Sequence, residues 1–180
     1  MPIIRQVAQL GNQILKKTAA KVNDITEPMI LALIEDMQAT VLDVNGVGIA
    51  APQVYESWQI FIMASRPNPR YPNAPQMEPT AIINPEILRV SEELHQDWEG
   101  CLSIPGIRGL VPRHTCIAVK YTTIDGIVKK QDLSNFLARL FQHEYDHLKG
   151  ISFLDRLDST KNIITEKEFQ KLMVQTNSQP

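Results

Sequence analysis

The stretch Gln142-His143-Glu144-Tyr145-Asp146-His147 carries two of the chain's four histidines. Positions 143 and 147 are i and i+4, so on a helix both imidazoles leave on one side and two nitrogens can reach one ion. Glu144 lies about 100° round that helix from His143. That is too far for a natural third ligand, but near enough to reach a water beside the metal. The pattern is H-E-x-x-H, in which the metal makes water more acidic and the glutamate serves as general base. Without a metal, the same residues would be a surface helix with two solvated histidines.

A catalytic site of this kind has three protein ligands and an open position. No histidine follows His147. Glu166 and Glu168 are downstream candidates on a polar segment. Upstream, Cys101 in "DWEGCLSIPG" offers a thiolate, a strong soft ligand. The alternative is that Cys101 is simply a small buried hydrophobe.

The histidine pair needs a helix beneath it. Leu133, Phe136, Leu137, Leu140 and Phe141 form an apolar stripe, Asp132 or Ser134 can cap its start, and Gly150 sits where a helix C-terminus wants a left-handed residue. The stripe runs on into Glu144 and His147. The metal face is therefore the buried face, where polar groups without partners are expensive. A metal and its water would satisfy all three side chains.

Earlier in the chain, Thr26 can cap a helix with Pro28 in its first turn. Ile30, Leu33, Ile34, Met37 and Val41 give it one apolar face, and it stops near Asn45-Gly46. "WQIFIMA" reads as a strand and "TAIINPEIL" as a strand pair. Residues 66–79 hold five prolines and read as loop. "CIAVKYTTIDGIVKK" reads as a hairpin turning at Asp125-Gly126. A last helix runs through "TEKEFQKLMVQ", capped by Thr165, and residues from about 172 to 180 fray. Strands with a few non-alternating helices argue an α+β fold, not a βαβ repeat.

The chain has 180 residues, enough for one domain with a real core. Its 43% hydrophobic and 21% charged content is ordinary for a globular protein, and its net charge of −2 points to neither nucleic acid nor an anionic membrane as main partner. The N-terminus lacks the apolar core of a signal peptide, and no window approaches the roughly 18 apolar residues of a membrane span. The expected location is the cytoplasm, or an organellar matrix if a targeting segment is missing. Cys101 and Cys116 are then thiols.

Three segments together resemble the peptide deformylase family: Gly46-Val47-Gly48-Ile49-Ala50-Ala51-Pro52-Gln53, Glu99-Gly100-Cys101-Leu102-Ser103 and Gln142-His143-Glu144-Tyr145-Asp146-His147-Leu148. They occur in the family's order and at similar spacing, and "INPEI", "IPGIRGLVPR" and "GISFLDRL" between and after them also fit. The resemblance covers roughly residues 3–158. One small departure is Asn135, where many members have glycine before the helix.

The resemblance implies a single catalytic domain over residues 1–180. Its fold would be α+β, with small antiparallel or mixed sheets packed around a central metal-binding helix, plus N-terminal and C-terminal helices. The implied reaction removes the formyl group from the N-terminal formyl-methionine of new polypeptides, releasing formate. Cys101, His143 and His147 would bind the metal, Fe(II) first, with nickel, cobalt or zinc also accepted. Water activated by the metal and Glu144 would attack the formyl carbon, and Glu144 would then pass its proton to the departing amine. The Gln53 amide and the Leu102 backbone N–H would stabilise the charge growing on the formyl oxygen.

Val47, Phe136 and Leu140 match the methionine pocket, while Gly48 and Gly100 match segments that pair with the substrate backbone. Glu99 counts among the substrate-binding positions, or pairs with Arg113 in a net behind the site. Asp146 reads as buried support, and His95 and His114 as non-ligands. The implied substrate is a formyl-methionyl peptide, met by a monomer, with the ribosome near the exit tunnel as the place of encounter. There Lys161, Lys167 and Lys171 would lend a basic surface. Rival readings are an H-E-x-x-H zinc peptidase and a non-catalytic, metal-stabilised binding module.

Overall fold

A computed structural model describes residues 1–69 and 71–177. In chain order the main elements are α1 (Pro28–Asp43), β1 (Gly48–Ala50), β2 (Ile60–Met63), β3 (Thr80–Val90), β4 (Leu94–Cys101), β5 (Ile104–His114), β6 (Cys116–Thr122), β7 (Val128–Ser134), α2 (Asn135–Leu148), β8 (Ile163–Thr165) and α3 (Glu166–Asn177). Two antiparallel sheets result, with strand orders β1-β2-β3-β6-β7 and β4-β5-β8. Helix α2 packs against β1, β2, β6 and β7 of the larger sheet and against β5 of the smaller. This is the expected α+β architecture around a central helix.

Strand β2 explains how the layers stack. Its sequence Ile-Phe-Ile-Met is buried throughout, and alternate side chains face opposite sides of the sheet. Ile60 and Ile62 join α1 residues Ile34, Met37 and Val41 in one core. Phe61 and Met63 join Leu140 and Phe141 of α2 in another. The Phe61 and Phe141 rings meet edge to face at 5.0 Å, an arrangement the ring quadrupoles favour. A third, smaller core around Cys101, Ile104, Val111 and Phe153 lies under the short sheet.

Several local expectations change. Thr26 does not cap α1. Glu27 takes that place without a side-chain bond, while the Thr26 N–H and hydroxyl donate to Asp24 Oδ1 at 2.8 and 2.6 Å, because an aspartate accepts a hydrogen bond two residues on at least as readily as it caps. "TAIINPEIL" is one strand, β3, not two. Asn84 has φ 49°, and the pairing with β6 shifts between Ile83 and Glu86, so Asn84-Pro85 makes an irregularity within the strand.

Leu133 belongs to β7, paired with Ile117, and not to the helix stripe. Ser134 precedes α2 in extended conformation but makes no side-chain cap, and Asn135 turns the chain with φ 51°. That left-handed conformation is one asparagine tolerates and glycine adopts freely, which gives the departure at this position a physical basis.

The hairpin at Asp125-Gly126, the Thr165 cap of α3 (Glu168 N–H to Oγ1, 3.3 Å) and the left-handed Gly150 (φ 72°) after α2 match expectation. Helix α3 runs to Asn177, through much of the tail expected to fray, and 178–180 lie outside the described residues. Among the described residues no helix is long and apolar enough to cross a membrane.

Candidate metal centre and active-site cleft

Helix α2 carries His143 and His147 on its buried face, ring centroids 5.1 Å apart. Cys101 ends β4, where the two-residue turn Leu102-Ser103 leads into β5. Its Sγ lies 3.3 Å from His147 Nε2, and one donor atom from each of the three residues falls within 4.8 Å of the others. Burial pushes the Cys101 thiol up, but His147 and His143 outweigh it and hold the group well below the usual thiol range. The cluster thus brings together one sulfur and two imidazole rings, a donor set that fits one divalent transition-metal ion. The downstream alternatives are used elsewhere: Glu166 pairs with Arg108, and Glu168 with Lys171 on the α3 surface.

Behind the cluster lies a closed net of charges. His143 Nδ1 donates to Glu99 Oε2 at 2.9 Å, which fixes the ring and leaves Nε2 toward the cluster. Arg113 donates to both Glu99 oxygens (2.9 and 3.0 Å), and Arg139 to Oε1 (2.7 Å). Arg113 also reaches Asp146 Oδ2 at 2.5 Å, and Arg156 donates to both Asp146 oxygens at 3.0 and 2.6 Å. Burial would raise the Glu99 carboxyl, yet Arg113 and His143 hold it well below the usual carboxylate range. Glu99, expected among the substrate-binding residues, borders the cleft only from behind, with both oxygens engaged by the net. Asp146 is buried support, as expected.

In front of the cluster lies an open cleft. Val47, Gly48, Gln53, Gly100 and Leu102 line it together with Phe136 and Leu140 of α2. Gln53 sits in a short 3-10 helix, Ala51–Val54. Its Oε1 accepts from the Ala50 N–H at 2.8 Å, which orients Nε2 toward Ser103 Oγ (3.1 Å) and Cys101 Sγ (3.4 Å). Its amide donor is therefore aimed at the cluster. Leu102 flanks Cys101, its carbonyl accepting from Gln9 at 3.3 Å.

Glu144 is 3% exposed, and its Oε2 has no hydrogen-bond partner among the described residues. Burial pushes its carboxyl up to about 7, against the lowering effect of His143 and His147. Gly48 makes room for it: a Cβ there would stand 2.8 Å from Glu144 Cδ and 2.9 Å from Leu140 Cδ1.

Sequence reasoning missed Arg139 and Tyr71. Arg139 sits on α2 inside a helical pattern that argues only for a solvated face. Tyr71 lines the cleft from within the proline-rich loop, its hydroxyl accepting from the Gly100 N–H at 3.3 Å; an aromatic residue among prolines and asparagines was the available signal. His95 is exposed and gives only its carbonyl to Arg139, while His114 Nδ1 bonds the Ser91 carbonyl at 2.6 Å. Neither joins the cluster.

A sequence model described as "Polypeptide deformylase" matches residues 4–163. The chain is 56% identical over 172 residues to peptide deformylase 2 of Nostoc sp., covering 96% of each chain. It is 44% identical to peptide deformylase 2 of Shewanella oneidensis, covering 94% of this chain and 88% of the relative. Among solved structures it is similar to a class I type b peptide deformylase from Acinetobacter baumannii with Met-Ala-Ser bound: TM-score 0.84, 48% identity, 87% of this chain and 100% of that one. It is also similar to the peptide deformylase of Thermotoga maritima, at TM-score 0.77, 36% identity, and 87% and 99% coverage. Sequence likeness spans nearly the whole chain, and the family match takes in Cys101, His143, Glu144 and His147. The chain belongs to the polypeptide deformylase family, enzymes that remove the N-formyl group from newly made peptides.

Proposed function

We propose that Cys101, His143 and His147 hold one divalent metal, Fe(II) in the first instance, with nickel, cobalt or zinc as substitutes, and that Glu144 is the catalytic acid–base. The observation that carries this reading is the buried, unpartnered Glu144 Oε2 beside the three donors. A carboxylate oxygen without a partner costs stability, and a water to be deprotonated supplies the partner. When bound, the ion acts as a Lewis acid and lowers the pKa of water.

Each residue then has a task. Glu144 takes the proton of the attacking water and delivers it to the amine nitrogen as the formamide C–N bond breaks. Formate and a free N-terminal amine result. The Gln53 amide and the Leu102 N–H donate to the formyl oxygen as charge grows there. Val47, Phe136 and Leu140 receive the methionine side chain. The backbone at Gly48 and Gly100 pairs with the peptide as an added strand. The Met-Ala-Ser complex of the Acinetobacter relative supports a peptide of this kind as ligand. The crowding of Gly48, Leu140 and Glu144 supports selection for the smallest acyl group, formyl, by steric exclusion of acetyl.

We further propose that residues 1–180 form one catalytic domain. It acts as a monomer in the cytoplasm or an organellar matrix and meets its substrate near the ribosomal exit tunnel through Lys161, Lys167 and Lys171.

The test is formate release from formyl-Met-Ala-Ser beside its acetyl analogue, with enzyme prepared anaerobically with Fe(II) or with Ni(II). Formate from the formyl peptide alone is the expected result. No formate from a preparation carrying one metal per chain would overturn the assignment.

A further inference from the structure

The two donors assigned to the formyl oxygen stand in different layers of the molecule. Gln53 lies in the short turn Ala51–Val54, whose Ala51 and Val54 pack with α1 residues Ile34 and Met37. Leu102 lies in the turn between β4 and β5, strands of the smaller sheet. Neither sheet's ladder sets the distance between them. The bonds that join the two turns directly run from Gln53 Nε2 to Ser103 Oγ at 3.1 Å and to Cys101 Sγ at 3.4 Å. Both use the amide that must turn to the substrate.

A third piece of chain spans the gap. The Ala8 N–H donates to the Gln53 carbonyl at 2.7 Å, and the Leu10 N–H to the Ser103 carbonyl at 2.8 Å. Between them, Gln9 Nε2 donates to the Leu102 carbonyl at 3.3 Å and to the Val7 carbonyl at 3.2 Å. Two residues of chain reach at most about 7 Å, so the segment limits how far the Gln53 and Ser103 carbonyls can part. It holds the carbonyls of Leu102 and Ser103 at once, which hinders the turn from swinging and redirecting the Leu102 N–H. These bonds use neither the Gln53 amide nor the Leu102 N–H itself.

The segment is anchored upstream. The Ile3 N–H donates to Asp36 Oδ1 at 2.8 Å and the Arg5 N–H to Thr40 Oγ1 at 2.9 Å, both on α1. Arg5 Nε pairs with Asp36 Oδ2 at 2.8 Å, and its Nη1 with Glu56 Oε1 at 3.3 Å, just past the Gln53 turn. Ala8 is fully buried, whereas Gln9 and Leu10 are exposed. At residues 9 and 10, hydrogen bonds and not side-chain packing tie the chain down.

We propose that residues 8–10 form a strap that sets the spacing and aim of Gln53 and Leu102, with Gln9 and Leu10 as positioning residues for the transition state. The proposal rests on the assignment of those two donors in the deformylase reading above. Charge grows on the formyl oxygen only as water attacks, so a misaligned donor costs turnover and not substrate binding.

The experiment measures kcat and KM for formyl-Met-Ala-Ser on metal-loaded wild type, Leu10→Pro and Gln9→Met, each also combined with Gln53→Ala. Proline removes the N–H that Ser103 accepts. Methionine keeps the length of Gln9 and removes its donor, at an exposed position where the fold is retained. Metal content is measured for every protein.

Leu10→Pro should lower kcat roughly 3–10-fold and Gln9→Met roughly 2–3-fold, the range for one hydrogen bond, at unchanged KM and metal content. In the Gln53→Ala background no pair of donors is left to space, so both losses should largely vanish. An unchanged kcat in both strap variants overturns the proposal. So does a loss confined to KM, or a loss of equal size with and without Gln53, as a purely structural strap would give. If Leu10→Pro does not fold, Gln9→Met decides by the same criteria. Wild-type enzyme that releases no formate, or Gln53→Ala enzyme with full kcat, sinks the underlying assignment instead.

Discussion

The two sides of α2 treat buried charge in opposite ways. Behind the helix, Glu99, Arg113, Arg139 and Asp146 are all under 9% exposed, and each is bonded to another charged group. In front, on the same helix, Glu144 is as deeply buried, yet one oxygen has no partner among the described residues. Burial raises its carboxyl to about 7, while the partners of Glu99 hold that group low. One helix thus separates a carboxylate locked in its ionised form from one able to exchange a proton near neutrality. A protein free to optimise stability alone would pair or replace the second. Its retention is what a proton-transfer role predicts.

The sharpest way to break this comparison is Glu144→Gln. The amide cannot take up a proton, so turnover should fall by about 10²–10⁴, while metal content by elemental analysis stays at the wild-type level. A neutral amide is also cheaper to bury than an unpartnered carboxyl, so thermal stability should hold or rise. Activity that survives this change would return Glu144 to the ranks of packing residues.

On the paired side, Asp146→Asn should act on stability first. It weakens the bonds to Arg113 and Arg156 and leaves Arg113 buried with less compensation. Loss of about 3–5 kcal/mol in denaturant unfolding is the expected result. A loss under about 1 kcal/mol would mean that the net contributes little and that its role is to orient His143. The smallest effect belongs to the exposed pair Lys171–Glu168 on α3, whose side chains are 57% and 54% accessible. Lys171→Ala should change stability by no more than about 0.5 kcal/mol, which calibrates how far the buried net stands apart from an ordinary surface pair.

Legibility in the sequence followed chain distance. His143 and His147 were readable from i, i+4 spacing alone, and Gly150, the Asp125-Gly126 hairpin and the Thr165 cap from residue types within a few positions. Residue type alone leaves Cys101 one of several third ligands, and only the three motifs together single it out. The errors were local ones: Asp24 competed successfully with the expected Thr26 cap, Leu133 fell to the strand before the helix, and Asn84 bent one strand where two were expected. In each, a neighbouring residue offered the backbone an equally good alternative.

By itself the sequence determined the helix that carries the histidine pair, the strands and turns around it, and the residue types able to hold a metal. A repeat of 3.6 residues and the preferences of glycine, proline and asparagine act over a single turn, and so can be read from neighbours. Only the tertiary structure decided that Glu99, 44 residues from His143, bonds its ring, and that the buried Arg108 pairs with Glu166, 58 residues away. Pairing between distant charges leaves no periodic trace along the chain. It is selected by burial, because a charge taken out of water must find a partner wherever the fold can bring one.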